Sequence, residues 1–252
     1  MAKIIAVANQ KGGVGKTTTT VNLSAALAVT GRRVLMMDCD PQGNASTGMG
    51  VPKSTRPNAY DMMTGEASPE KCIVHTKWGD VIPASKELAA SSVELIEAEK
   101  REYVLKNALM KLYSDYDYIF IDCPPSLELL TVNALVAADT VLIPMQCEYY
   151  ALEGIADLLS SIRICKKRLN RRLEVEGIVL TMYDARANLT SQVATELRKY
   201  LNDKVYETVI PRSVRLSEAP SHGIPGIIYD RFNKGSKAYV ELAEEFVKKA
   251  ER

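Results

Sequence analysis

Apolar and polar positions along the chain fall into alternating blocks of two lengths. Short, nearly unbroken apolar runs occur at Lys3–Ala8 (KIIAVA), Arg33–Met37, Tyr118–Ile121, Thr140–Pro144, Glu176–Met182 and Val205–Ile210, and each predicts a strand. Longer stretches between them carry apolar residues at helical spacing. Thr17–Val29, with Val21, Leu23, Ala26 and Leu27, predicts a helix, as do Glu87–Leu112, Leu127–Val136, 150–169, Thr190–Leu201 and Ser236–Lys249. Strands that are apolar on both faces imply a sheet covered on both faces, and their regular alternation with helices makes it parallel. The expected fold class is therefore α/β: a mostly parallel central sheet with helices on both faces. Segment 50–70 holds three prolines and two glycines and reads as a surface excursion. With no internal repeat or low-complexity linker, the expectation is a single domain over 1–252.

Composition changes this picture little. Close to half the residues are hydrophobic and a quarter charged, so the chain can bury an ample core without a metal or disulfide staple. No stretch approaches the ~20 apolar residues that span a bilayer, and the N-terminus reads as a strand, not a secretory leader. The expected location is cytoplasmic. Five cysteines without a C-x-x-C pair read as reduced, buried small hydrophobes. The net charge of +1 is unevenly placed. Residues 1–162 carry 14 Lys+Arg against 19 Asp+Glu, and residues 163–252 carry 18 against 12. The basic second part is a mild pointer to a polyanionic partner, and scattered solvated charge accounts for it equally well.

Candidate chemistry enters where the first strand ends. It runs into Asn9-Gln10-Lys11-Gly12-Gly13-Val14-Gly15-Lys16-Thr17-Thr18, and a helix follows. That is the strand–loop–helix context of a phosphate loop. Glycines allow successive N–H groups to point at phosphate oxygens, and the helix N-terminus adds partial positive charge. Lys16 is expected to reach the β- and γ-phosphates and Thr17 to ligate Mg²⁺. Gln10 stands where G-x-x-x-x-G-K-[ST] has its first glycine, and a second lysine, Lys11, lies inside the loop.

KGGVGKTT resembles the deviant Walker A motif of the ParA/MinD group of P-loop ATPases. Two further segments fit that group: the strand ending in Asp38-Cys39-Asp40-Pro41-Gln42-Gly43-Asn44, and the strand ending in Asp122-Cys123-Pro124-Pro125-Ser126. Both set carboxylates at strand C-termini, where α/β sheets hold ligands. The segments QCEYYALEG (146–154), LTMYDARAN (180–188) and IPRSVRLSEAPSHG (210–223) are similar to the chromosomal ParA (Soj) branch, which segregates DNA in bacteria. The resemblance covers essentially the whole chain.

The resemblance implies ATP and Mg²⁺ as cofactors and slow ATP hydrolysis. It assigns nucleotide contacts to Lys11, Gly12, Gly13, Val14, Gly15, Lys16, Thr17 and Thr18, with Lys11, Lys16 and Asp40 in catalysis. Asp40 would orient the attacking water, and Thr17, Asp38 and Asp122 would serve the metal. An Asp-Pro turn for Asp40 and a helix N-cap for Asp122 remain open. Asp38 and Asp40 are two apart on one predicted strand, so their side chains should leave the same face. Lys11 would reach across a nucleotide-sandwich homodimer to the partner's phosphates, like an arginine finger in trans. Thr181-Met182-Tyr183-Asp184 lacks the lysine of guanine-selective relatives, which favours adenine, and the resemblance implies that the base sits near Met182 and Pro211.

By the same resemblance Arg186 and Arg215, with Arg212 nearby, would bind double-stranded DNA without sequence preference; surface ion pairs are the alternative. A ParB/Spo0J-type centromere-binding protein would stimulate hydrolysis, and the chain would be nucleoid-associated with no membrane partner. Three rival readings stand beside this one. They are a MinD-like membrane-cycling ATPase positioning cell division, an iron–sulfur electron-transfer ATPase, and a non-catalytic nucleotide-gated scaffold. The tail Ser236–Arg252 has its apolar residues on one side, which suits packing on the sheet and counts against the first.

Overall fold

The computed structural model describes residues 1–250. Seven strands form one sheet: β1 Lys3–Val7, β2 Val34–Asp38, β3 Val74–Thr76, β4 Gly79–Ile82, β5 Tyr118–Asp122, β6 Thr140–Gln146 and β7 Glu174–Thr181. Their order is β3-β4-β2-β5-β1-β6-β7, and every pairing is parallel except β3 with β4. The helices are α1 Lys16–Val29, α2 Asn44–Gly48, α3 Ala59–Thr64, α4 Leu88–Glu94, α5 Val104–Leu109, α6 Leu129–Ala137, α7 Ala151–Arg168, α8 Asn188–Leu201, α9 Val214–Glu218, α10 Gly226–Tyr229 and α11 Lys234–Ala250. The expected P-loop α/β architecture is therefore present.

Alternation along the strands builds a core on each face. Ile4, Ala6, Leu35, Met37, Ile119, Ile121, Val141 and Ile143 pack with α3 and α5 to α8. Ile5, Val7, Phe120, Leu142 and Val179 point the other way, onto α1 and α11. On α11, Ala238, Tyr239, Leu242, Ala243 and Phe246 are buried, as their spacing predicts. Phe246 meets the Tyr118 and Phe120 rings at centroid distances of 5.4 and 5.7 Å. Glu251 and Arg252 of the predicted tail lie outside the described residues. No described helix is long and apolar enough to cross a membrane.

Three expectations need correction. The single helix over 87–112 is instead α4, α5 and short 3-10 turns. The chain reverses at Lys100, whose φ of 55° is left-handed, and Asn133 of α6 takes the hydrogen bonds that a continuous helix would have made internally. Its Oδ1 accepts from Leu105 N at 3.1 Å and its Nδ2 donates to the Arg101 carbonyl at 2.9 Å. Residues 205–210 track β7 without becoming a strand. Tyr206 N and Ile210 N donate to Ile178 and Leu180, but the Glu245 carboxylate takes the Glu207 and Thr208 amides, both at 2.9 Å. Segment 50–70 is more than a surface excursion: it contains α3, whose Ala59, Met62 and Met63 are in the core. The β3–β4 hairpin leaves no mark in the sequence pattern, because strands of three and four residues carry too little alternation to register.

Candidate nucleotide site

The order of strands sets the location of the site. β5 lies between β1 and β2, and β6 lies on the other side of β1, so the chain changes direction at the C-terminal end of β1. Such switch points open a crevice for ligands. The loop 9–15 fills its floor. Gly13 and Gly15 have φ of 74° and 86°, a region costly to residues with a Cβ. Gly15 caps α1 without a side-chain bond, and the first turn of α1 carries no acidic residue. Its amide donors and the positive end of the helix dipole are thus free for an anion. The loop is held from outside: Thr181 Oγ1 donates to the Val14 carbonyl at 2.7 Å, and Asn9 Nδ2 to the Pro144 carbonyl at 2.8 Å. Thr18 uses its carbonyl to hold Asn22 at 2.8 Å, and a Cβ at Gly12 would meet nothing within 4 Å.

The two lysines of the loop face different ways. Lys16 is buried, and its Nζ donates to the Lys11 carbonyl at 3.1 Å, spanning the hollow of its own loop. Burial holds its ammonium below the usual lysine range, opposed by the charge of Asp122. Lys11 turns outward with half its side chain exposed, and its Nζ is paired with Glu148.

Behind the loop sit two fully buried carboxylates, Asp38 and Asp122, which are register partners on β2 and β5. Asp122 accepts from Thr17 Oγ1 at 2.8 Å and Thr20 Oγ1 at 2.9 Å. Asp38 accepts from Ser46 N and Ser46 Oγ, both at 2.7 Å, and from Asp40 N at 3.2 Å. Burial, reinforced by the Asp38 charge, raises Asp122 to about 8; burial raises Asp38 to about 6 against the bonds from Ser46. These paired carboxyl groups, beside a threonine hydroxyl and facing the phosphate loop, fit a hard divalent cation, whose charge would favour their ionised form. Among the described residues no three His, Cys, Asp or Glu side chains converge as a metal cage. Mg²⁺ takes few protein ligands and keeps phosphate oxygens and waters, so Thr17, Asp38 and Asp122 are donors of the kind it uses. Asp40 lies beyond the end of β2, so the same-strand argument linking it to Asp38 does not apply. It is half-buried, and its Oδ1 accepts from Gln42 N at 2.9 Å, an Asx turn.

Met182 and Pro211 are brought side by side: Tyr183 bridges Pro211, and Tyr183 N donates to the Ile210 carbonyl at 2.9 Å. Met182 has a φ of 48°, uncommon for a side chain of its size. Arg212 contacts its sulfur at 3.9 Å. Arg186 is exposed and bonded to Asp184, and Arg215 is bonded to Glu218 and lies 3.6 Å from Asp230. Sequence reasoning missed four contributors: Glu148, Thr20, Ser46 and Thr181. Glu148 lies within QCEYYALEG and Thr20 within the run of four threonines, but neither position names its partner. All five cysteines are buried and unpaired.

Comparison with known proteins shows the family. A family model described as "AAA domain" matches residues 2–175. The chain is 55% identical over 248 residues to the sporulation initiation inhibitor protein Soj of Bacillus subtilis (strain 168), covering 97% of this chain and 98% of that one. It is 50% identical over 250 residues to the chromosome partitioning protein ParA of Caulobacter vibrioides (strain NA1000 / CB15N), covering 97% and 94%. Among solved structures, cobyrinic acid a,c-diamide synthase from Mycobacterium smegmatis with bound ADP and magnesium superposes with a TM-score of 0.85 at 35% identity, covering 100% of this chain and 96% of that one. With its phosphate loop, paired strand-end aspartates and full-length likeness to these proteins, the chain belongs to the ParA/Soj/MinD family of P-loop ATPases.

Proposed function

We propose that this chain is an ATP-dependent DNA-segregation ATPase, working as a single catalytic unit over residues 1–252. Its ATP-bound form pairs with a second copy and attaches to DNA; hydrolysis releases it. The observation that carries this reading is the opposed orientation of the two loop lysines. Lys16 lies where it can neutralise phosphates in its own loop, while Lys11 is directed out of the loop and exposed, available to a nucleotide held by a second copy. The full-length likeness to Soj and ParA supports the role in chromosome partitioning.

Each residue then has a defined task. The loop amides from Gly12 to Thr18 bind the phosphates, and Met182 and Pro211 flank adenine. Thr17, with Asp122 and Asp38 behind it, would hold Mg²⁺, which supplies charge neutralisation at the phosphates when bound. Asp40, accessible and next to the buried pair, orients the attacking water. Arg186, Arg215 and Arg212 contact DNA phosphates. The apolar face of α11 is already buried on the sheet, which counts against a membrane-cycling role.

The test is phosphate release measured alone, with duplex DNA, with a ParB/Spo0J-type protein, and with both. Slow basal turnover that rises most with both together is expected. Absence of magnesium-dependent turnover under all four conditions would overturn the enzymatic reading.

A further inference from the structure

The basic excess of residues 163–252 has a narrow origin. Residues 163–172 (RICKKRLNRR) hold Arg163, Lys166, Lys167, Arg168, Arg171 and Arg172 and no carboxylate. Residues 173–252 carry 12 Lys+Arg against 12 Asp+Glu, so the whole excess of six sits in these ten positions. They form the last turns of α7 and the tight turn into β7.

Arg163, Lys167, Arg168, Arg171 and Arg172 are all exposed. Lys166 is paired with Glu174, but among the described residues no carboxylate lies within ion-pair distance of the other five. Arg186 and Arg215 differ in this respect, since each already holds a carboxylate that a phosphate would have to displace.

The turn is also rigid. Asn170 is buried, and its Nδ2 donates to the Leu135 and Ala138 carbonyls at 3.0 and 2.7 Å while its Oδ1 accepts from Arg172 N at 3.3 Å. Leu173 is fully buried, and the Leu169 carbonyl accepts from Tyr103 Oη at 3.0 Å. The backbone presenting these cations is therefore ordered before any ligand arrives, which lowers the entropy lost on binding. The helix dipole accounts for basic residues in the last turn of α7. It does not account for Arg163 before that turn or for Arg171 and Arg172 beyond it. A lipid surface would require an apolar face as well, and Ile164 is the exposed large apolar residue of the run. Four of the six cations are arginines, whose planar forks suit phosphate oxygens.

We infer that residues 163–172 form a second, sequence-independent contact for the phosphate backbone of duplex DNA, at the end of the sheet away from the nucleotide. The inference rests on the DNA-binding reading above. β7 runs eight residues from this turn to Thr181, which touches the phosphate loop. At ~3.3 Å per residue that is a separation of ~25 Å. The contact is therefore insensitive to the nucleotide in its own subunit, and ATP-driven pairing gives each dimer two such contacts.

The test is fluorescence anisotropy with a labelled random-sequence duplex, titrated with salt, with and without ATP. The proteins are the unsubstituted chain, a Lys167→Ala/Arg168→Ala/Arg171→Ala/Arg172→Ala variant, an Arg168→Lys/Arg171→Lys/Arg172→Lys variant, and Arg186→Ala/Arg215→Ala. The fourfold alanine variant should bind at least about tenfold more weakly at low salt, with a log–log salt slope shallower by about 2 to 4, in both nucleotide conditions. Its thermal melt and its ATP-driven dimerisation should be unchanged, and the lysine variant should keep most of the slope. If the unsubstituted chain binds DNA and the alanine variant matches it in affinity and slope, this inference fails while the DNA reading stands. If the unsubstituted chain binds no DNA, both fail. If the alanine variant keeps DNA but loses binding to phosphatidylglycerol vesicles, the patch is a lipid contact and the inference is overturned.

Discussion

Lys11→Ala separates a structural lysine from one that acts on a second copy. In the isolated chain, among the described residues, Lys11 makes one side-chain interaction of consequence, the pair with Glu148, and the two side chains are 50% and 44% exposed. An exposed pair contributes about 0–1 kcal/mol. For a chain of this length 1 kcal/mol corresponds to about 2–4 °C in Tm, so the nucleotide-free variant should melt within about 4 °C of the parent. The same figure bounds what Lys11 gives up when it leaves Glu148, about a fivefold effect on the pairing equilibrium. A cation supplied in trans to a transferring phosphoryl group contributes about 10³–10⁵ in rate, or roughly 4–7 kcal/mol. That figure sets the expected loss of turnover, while leaving Glu148 costs the pairing step at most about 1 kcal/mol. Light scattering after size exclusion, with a non-hydrolysable ATP analogue, should show the parent's mass double and the variant's stay at one chain. Nucleotide binding should survive through Lys16 and the loop amides, and turnover should fall by about 10³ or more. A variant that still doubles its mass refutes the trans role. One that melts more than about 10 °C lower makes Lys11 structural.

Three further predictions follow from the buried polar groups and the close packing around the site. Ser46→Ala removes a 2.7 Å bond to the buried Asp38 carboxylate and the acceptor of Ala84 N at 3.0 Å; urea unfolding should show a loss of about 2–4 kcal/mol, and a loss below about 0.5 would remove Ser46 from the support of Asp38. Gly177→Ala puts a Cβ 2.5 Å from the Tyr206 ring and 2.9 Å from the Lys204 carbonyl, so it should destabilise by about 2 kcal/mol or more; an unchanged melt would refute the packing argument. Asp38 and Asp122 hold protons in the nucleotide-free fold that unfolded carboxylates release near pH 4, so their contribution is full below about pH 4 and lost as pH rises through about 6 and about 8. Stabilisation by Mg·ATP should accordingly grow between pH 6 and 8 in thermal-shift measurements, and an Asp122→Asn variant with the parent's pH profile would contradict this assignment.

The sequence by itself determined whatever depends on neighbours in the chain. Strands β1, β2, β5, β6 and β7 announced themselves because residues buried on both faces are continuously apolar, and α1, α7, α8 and α11 because their buried sides repeat at helical spacing. The phosphate loop was equally legible, since its amides, Lys16 and Thr17 come from one contiguous segment in a fixed strand–loop–helix order. Tertiary structure alone decided what depends on distant partners. Asn133 breaks the predicted helix over 87–112, and Glu245 takes the amides that would have made 205–210 a strand; both are side-chain bonds from another element, invisible to local periodicity. The same holds in the site. Glu148 meets Lys11 across 137 positions, Thr20 meets Asp122 across 102, and Ser46 meets an Asp38 whose neighbour Asp40 has already left the strand. Residue types and spacing named the groups that carry charge. Only the packed sheet, by burying two carboxylates side by side and turning one lysine inward and the other out, decided which charges are buried within the chain and which face outward.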